Sequence, residues 1–339
     1  MQSGKLAVGA LPDPAPGAGE VLVRSLACGV CASDLHVLEH GRQLVEWSRA
    51  EGGPFSMDLE RPVVLGHEYC AEIVDFGPNT ERRLAPGTRV TSAPVVVGAR
   101  GLAAVGLSND YPGGFGEYMR LSESLLRPLP ESLGVPLAAL TEPVSVGVYY
   151  VRAAELRPGD VPLVVGCGAI GLAVIAALRR AGARPILAAD FAAARRDHAL
   201  RMGADIAVDP RAESPYQHFR AAPCAANVVF ECVGVPGVLD GVLRGAPIGG
   251  RVIVAGWCLE TDHLFTPVAH TKGLTLKFGG GPTPEDFDVA LRALGDGEID
   301  VRSWISHEVG LEGLSGALER LRDPSAGLRT LVWPGRDLP

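Results

Sequence analysis

Lysine is scarce in this chain. Only three of its 31 basic residues are Lys, and the Arg residues are scattered rather than bunched. Against 39 acids the net charge is −8. That balance argues against a general binder of nucleic acid or membrane surfaces, because both are anionic. No apolar run approaches the roughly 18 residues of a membrane-spanning helix. The first 16 residues lack the charged head and apolar core of a secretory signal. The seven Cys are odd in number and widely spaced, so no disulfide framework is expected and a reducing cytoplasm is the expected location. Gly (43) and Pro (27) are plentiful but follow no G-X-Y period, which excludes collagen and points to many turns. There is no internal repeat and no low-complexity tract.

What remains is an ordinary globular composition, 47% apolar and 21% charged, in 339 residues. That length suggests roughly two domains. Residues 1–145 read as short strands separated by turns, for example 20–27 (EVLVRSLA), 69–76 and 89–92, and this spacing predicts a β-rich domain of the small-barrel kind. Residues 146–282 alternate between strand and helix: 163–165, then a helix over 169–181, a strand at 185–189, a helix at 192–202, and strands at 227–231 and 251–255. Such alternation predicts a parallel, doubly wound sheet. Residues 283–339 hold two helical stretches and a final apolar run. They are too short for a domain of their own and are expected to pack back on one of the others.

Gly166, Gly168 and Gly171 form G-x-G-x-x-G between a strand and a helix. In such a turn the first Gly permits the bend and the second lets backbone approach a pyrophosphate. The third lets helix and strand pack closely, and the helix N-terminus offers free N–H groups. Asp190 lies 19 residues past Gly171 at the next strand's end, where a carboxylate would accept hydrogen bonds from a ribose. It would also repel a 2′-phosphate, so NAD is favoured over NADP. Arg195 and Arg196, one helical turn on, read as solvated helix residues.

Cys28 and Cys31 have C-x-x-C spacing, open to reading as a zinc knuckle or a redox pair. A knuckle lacks its second pair, and a redox pair belongs beside a βαβ start. A third reading takes Cys31 alone with His67 and Glu142, a mixed sulfur, nitrogen and oxygen set that suits a catalytic zinc with an open fourth position. Spacing alone does not choose among these.

The combination of CGVCASDLH (28–36), GHE (66–68) and the later glycine motif resembles the zinc-dependent medium-chain alcohol dehydrogenases, along essentially the whole chain. The resemblance implies an α/β protein: a GroES-like β-rich catalytic domain (1–145), a Rossmann doubly wound parallel-sheet domain binding NAD (146–282) and a C-terminal segment returning to the catalytic domain. It implies one catalytic Zn2+ held by Cys31, His67 and Glu142, with Glu68 able to swing onto the metal. Asp34 would orient the liganding His. Ser33 and His36 would relay the proton. Arg329 would meet the cofactor pyrophosphate. The segment Thr141-Glu142-Pro143 resembles the polyol, sugar and threonine dehydrogenase branch. The implied reaction interconverts an alcohol and its carbonyl by hydride transfer, on a small-molecule substrate, in a homodimer or homotetramer. The rival readings are a zinc-independent reductase of the quinone oxidoreductase type and a non-enzymatic dinucleotide-binding protein.

The chain departs from that family twice. Residues 92–112 contain no Cys where many members hold a second, structural zinc, so a metal-free, shortened lobe is expected. Residues 40–58 look inserted, with a helix expected over 42–50. With both ends near candidate ligands, the insertion is expected to bring Trp47 and Phe55 to the mouth of the substrate cleft as an apolar wall.

Overall fold

The computed structural model describes residues 1–53, 55, 57–98, 101–221, 227–323 and 325–338. The chain divides into two compact units. One comprises Met1–Glu142, Ala290–Gly297 and Val301–Pro339; the other comprises Pro143–Val289 and Glu298–Asp300.

The first unit opens with β1 (Glu20–Gly29), followed by helix α1 (Ala32–Glu51) and then β2 (Glu68–Phe76), β3 (Arg89–Ser92), β4 (Val95–Gly98), β5 (Gly101–Ala104), β6 (Tyr118–Ser122) and β7 (Leu126–Pro128). Helix α2 (Val135–Ala139) follows, and α3 (Thr141–Ala153) starts at the last residues of this segment and continues into the second unit. The second unit holds β8 (Val161–Val165), α4 (Ala169–Arg180), β9 (Leu187–Ala189), α5 (Ala193–Met202), β10 (Ile206–Val208), β11 (Asn227–Glu231), β12 (Arg251–Val254) and β13 (Thr275–Phe278). The chain then returns to the first unit with β14 (Ile305–Val309) and β15 (Arg329–Val332).

In the first unit the strands run β14-β15-β1-β2-β3-β7, with β6 also paired to β1. Strand β1 is the hub. Its Val21, Val23, Ala27 and Cys28 are fully buried, the inward set of a strand whose neighbours close over it. The antiparallel pair β1–β2 sets Gly29 opposite Glu68, which brings the end of the first strand to the start of the second. β4 and β5 form a separate antiparallel hairpin within the Cys-free lobe.

The second unit is a parallel sheet ordered β10-β9-β8-β11-β12-β13. This is the doubly wound order whose direction reverses between the first and fourth strands of the unit, and ligands gather at that switch point. Its central strand β11 (NVVFE) is buried at every position, as expected of a strand covered on both faces.

Helix α1 corrects one expectation. The helix expected over 42–50 is the far end of a continuous 20-residue helix that starts just after Cys31. Cys31 caps it: the Cys31 N–H donates to Asp34 Oδ2 at 3.0 Å. Gly41 does not break it, since one interior Gly costs only about 1 kcal/mol. Gly52, with φ of 71°, ends it in the left-handed conformation. At 1.5 Å per residue Trp47 stands about 24 Å along the axis from Cys31. Trp47 is 48% exposed and packs on Phe55, ring centroids 6.2 Å apart. A helix carries this segment away from the candidate ligands, so Trp47 forms no wall beside them. No helix among the described residues is long and apolar enough to cross a membrane.

Candidate metal and dinucleotide sites

The metal side is assembled at the start of α1 and the start of β2. Cys31, His67 and Glu68 place their ligand atoms within 4.8 Å of one another. Asp34 is fully buried under them. Its Oδ1 accepts the Gly66 N–H at 3.2 Å and lies 3.5 Å from His67 Nδ1, an ion-pair distance rather than a full hydrogen bond. The same carboxylate therefore caps α1 and orients the imidazole. Burial opposes a charge on His67, but Asp34 and Cys31 outweigh it and hold the ring well above the ordinary histidine value. Ser33 Oγ is 3.2 Å from the opposite ring nitrogen, Nε2. His36 follows one helical turn later, half-buried, and burial with His40 lowers its pKa against the pull of Glu39.

Glu68 is fully buried and divided in function. Oε1 accepts from Arg329 Nη2 at 2.8 Å, while Oε2 has no hydrogen-bond partner among the described residues. Arg329 also donates to the Val30 carbonyl at 3.1 Å and is 4% exposed. The pyrophosphate reading did not anticipate this pair: the guanidinium sits among the metal-side residues, balancing Glu68. Sequence reasoning also missed Gly29. A Cβ there would lie 2.3 Å from Glu68 Oε2, so only Gly leaves room for that carboxylate. The signal available was a Gly closing one strand opposite a Glu opening the next.

Glu142 opens α3 and is half-buried. It falls outside the Cys31–His67–Glu68 group, yet shares its field. Burial pushes its carboxyl up to about 7, with His67 and Arg329 pulling it down and Glu68 and Asp34 adding to the rise.

The donors fit zinc. Sulfur, imidazole nitrogen and carboxylate oxygen are the ligand types of a catalytic zinc with an open position. A buried carboxylate oxygen without a partner is costly unless a cation meets it. The Asp34–His67 arrangement is the usual outer support of a liganding imidazole.

The dinucleotide side lies in the other unit and is built mainly from backbone. Gly166 follows β8 at φ of 90°, and a Cβ there would meet Val233 at 2.6 Å. At Gly171 a Cβ would lie 1.9 Å from the Gly166 carbonyl oxygen. Gly168 caps α4, and nothing lies within 4 Å of where its Cβ would stand, which leaves the backbone open to a phosphate. Asp190 ties the turn to the next strand. Its Oδ2 accepts the Cys167 N–H and its Oδ1 the Ala192 N–H, both at 2.8 Å. The three glycines and Asp190 therefore come together. Arg195 and Arg196 are not simply solvated. Arg195 approaches Asp190 at 4.0 Å, and Arg196 donates to the carbonyls of Asp190 and Phe191 at 2.9 Å each.

Two family descriptions match this chain. The alcohol dehydrogenase GroES-like domain matches residues 17–131 and the zinc-binding dehydrogenase matches residues 169–296. The (R,R)-butanediol dehydrogenase of Bacillus subtilis (strain 168) is 33% identical over 273 residues, 73% of each chain. The chain belongs to the zinc-dependent medium-chain alcohol dehydrogenases. The Bacillus subtilis sorbitol dehydrogenase is 27% identical over 342 residues, covering 96% of this dehydrogenase and 93% of its own length. The crystal structure of 2R,3R-butanediol dehydrogenase from Bacillus subtilis superposes with a TM-score of 0.82 at 28% identity, over 98% of this chain and 97% of its own. This dehydrogenase is thus a zinc- and NAD-dependent alcohol oxidoreductase acting on small molecules, in the polyol dehydrogenase-like branch.

Proposed function

We propose that this dehydrogenase oxidises a secondary alcohol of the diol or polyol class, with NAD preferred over NADP, and that Cys31, His67 and Glu142 hold one zinc with Glu68 as reserve ligand. The observation that carries the reading is the buried donor group of Cys31, His67 and Glu68 with Asp34 beneath it. The substrate class is supported by the butanediol and sorbitol dehydrogenases among the relatives. The reserve role of Glu68 is supported by its one unpartnered oxygen, the other being held by Arg329.

Bound zinc supplies a Lewis acid that lowers the alcohol's pKa, and bound NAD supplies the hydride acceptor. The chain's own groups do the rest. Asp34 holds the His67 ring so that Nε2 faces the donor group. Ser33 Oγ, beside that nitrogen, is placed to receive the alcohol proton. His36 is held below its ordinary pKa and so stands largely neutral near pH 7, ready to accept it. Arg329 neutralises Glu68, so that Glu68 does not compete permanently for the metal, and its remaining donors are assigned to the pyrophosphate. Asp190 keeps carboxylate lone pairs for the ribose hydroxyls. We also assign the chain to the cytoplasm as a homodimer or homotetramer. Strand β13 ends the parallel sheet with Phe278 64% exposed, an open edge suited to pairing with a second copy.

Metal analysis and cofactor reduction across a panel of butanediols, polyols and simple secondary alcohols test this together. The expected result is one zinc per chain and highest kcat/KM for a diol or polyol with NAD. Two tightly held zinc ions, or turnover confined to simple apolar alcohols, would overturn it.

A further inference from the structure

Helix α1 carries a third group suited to moving protons, beyond the two assigned above. Ser33, His36 and His40 stand at positions i, i+3 and i+7, so they fall on one stripe of the helix and span about 10 Å along its axis. The stripe begins where Ser33 Oγ lies 3.2 Å from His67 Nε2. His36, in the middle, is half-buried. His40, at the far end, is 39% exposed and lines a cleft of about 260 Å³ with Met1, Ser3, Glu39, Arg42 and Leu59. Beside the stripe Leu35, Val37 and Leu44 are buried and apolar, so they pass no proton. Side chains four apart on a helix have Cβ atoms roughly 5–6 Å apart, a gap that two imidazoles close directly or through one water. The two rings sense each other: after burial, His40 is the next influence that lowers the pKa of His36.

We propose that His40 is the outer station of the relay, passing the alcohol's proton from His36 to water in that cleft. The proposal rests on the relay reading of Ser33 and His36, and it adds the exit that a half-buried His36 needs. Oxidising the alcohol sends a hydride to NAD and frees one proton. The step at His40 moves only that proton, in at one ring nitrogen and out from the other. The charged groups around the cleft suit the transfer. Glu39 Oε2 lies 3.9 Å from His40 Nε2 and favours the proton's arrival. The Arg322 guanidinium pairs with Oε1 of the same carboxylate and weakens that hold. Arg42 is turned to Glu60 at 3.5 Å, and the Met1 amine donates to the Val63 carbonyl at 2.7 Å, so these two cations are engaged elsewhere.

The test is stopped-flow oxidation of the fastest alcohol of the panel by the zinc-loaded full chain, in dilute buffer near neutral pH, with NADH absorbance and a pH indicator followed together. His40→Gln should slow proton release roughly threefold, with zinc content and NAD affinity unchanged, and added imidazole should restore the rate. In the same variant the His36 ring, followed by proton NMR across pH, should titrate at a higher pH than in the parent, because a neighbouring cation is gone. A parent-like release rate, a loss that imidazole does not restore, or an unmoved His36 titration overturns the exit through His40. His36→Gln separates this from the reading beneath it. If that variant loses rate equally at every pH, the relay reading itself fails and the exit with it. If it behaves as a relay residue while His40→Gln does not, only the exit falls.

Discussion

The two sites solve opposite problems. On the dinucleotide side the working groups are backbone N–H groups, and what matters is the absence of side chains at Gly166 and Gly171. On the metal side the working groups are side chains, and backbone serves to hold them: Gly66 donates to Asp34, and Gly29 leaves space for Glu68. A backbone site needs contiguous residues. A side-chain site collects residues from positions 31, 34, 67, 68 and 329, which only the folded sheet brings together. The first should fail through sterics and the second through charge, and they should fail independently because they lie in different units.

The sharpest break is a pair of reciprocal variants. Cys31→Ala should remove zinc and lower turnover by at least about a thousandfold, while NAD binding measured by fluorescence titration persists. Gly171→Val should abolish NAD binding, because its side chain would drive into the Gly166 carbonyl, while zinc content stays near one per chain. If either variant loses both ligands, the two sites are not independent.

Next in size is the buried Glu68–Arg329 pair. Glu68→Gln leaves the 4%-exposed guanidinium without its counter-charge, a loss of roughly 3–5 kcal/mol. Thermal melting should report it. The double variant Glu68→Leu with Arg329→Met should recover most of that stability but not activity. A melting point unmoved by Glu68→Gln would show that Arg329 finds another partner.

The same contrast explains what the sequence made legible. The glycine motif, the strand before it, the helix after it and Asp190 are local, so their spacing alone announces the turn, and the alternation from residue 163 to 255 announces the parallel sheet. Cys31, His67 and Glu142 each look ordinary alone, and they became readable only through resemblance to a family. The Glu68–Arg329 pair spans 261 positions and depends on β15 pairing with β1, which no local pattern encodes. Of helix α1 only the far part, 42–50, is legible in the inserted segment, whereas the Cys31 cap starts one helix that runs through Gly41 and ends at Gly52. Short edge elements such as β13, β14 and the β4–β5 hairpin carry too few residues for a periodicity to show.

A smaller effect sharpens the cofactor side. Asp190→Asn removes the charge that repels a 2′-phosphate while keeping an acceptor for one of the two N–H groups it now bridges. The NAD over NADP ratio of kcat/KM should narrow by about tenfold, with the Arg195 and Arg196 guanidiniums already close by. A higher kcat/KM with NADP in the parent would refute the role of Asp190.

The proton relay gives a pH signature. His36 has a lowered pKa, so its ring is protonated and useless as an acceptor only below that lowered value, and is competent from there upward. His36→Gln should therefore cost several-fold near pH 7 and less near pH 9, where hydroxide and buffer take the proton directly. Ser33→Ala, beside His67 Nε2, should lose turnover at every pH. A pH-independent loss in His36→Gln would remove it from the relay.

The smallest expected effect is at Trp47. An aromatic in an insertion flanking a metal ligand invites a specificity role, but α1 carries it about 24 Å along the axis from Cys31. That exceeds the reach of a diol or polyol held at the metal, and the ring spends its contact on Phe55 instead. Trp47→Ala should leave KM within about twofold across the alcohol panel and cost roughly 0.5–1.5 kcal/mol of stability through the lost ring pair. A several-fold rise in KM for one substrate, with zinc content and NAD affinity intact, would mean that the far end of the helix meets substrate after all, and that the substrate is much longer than a polyol.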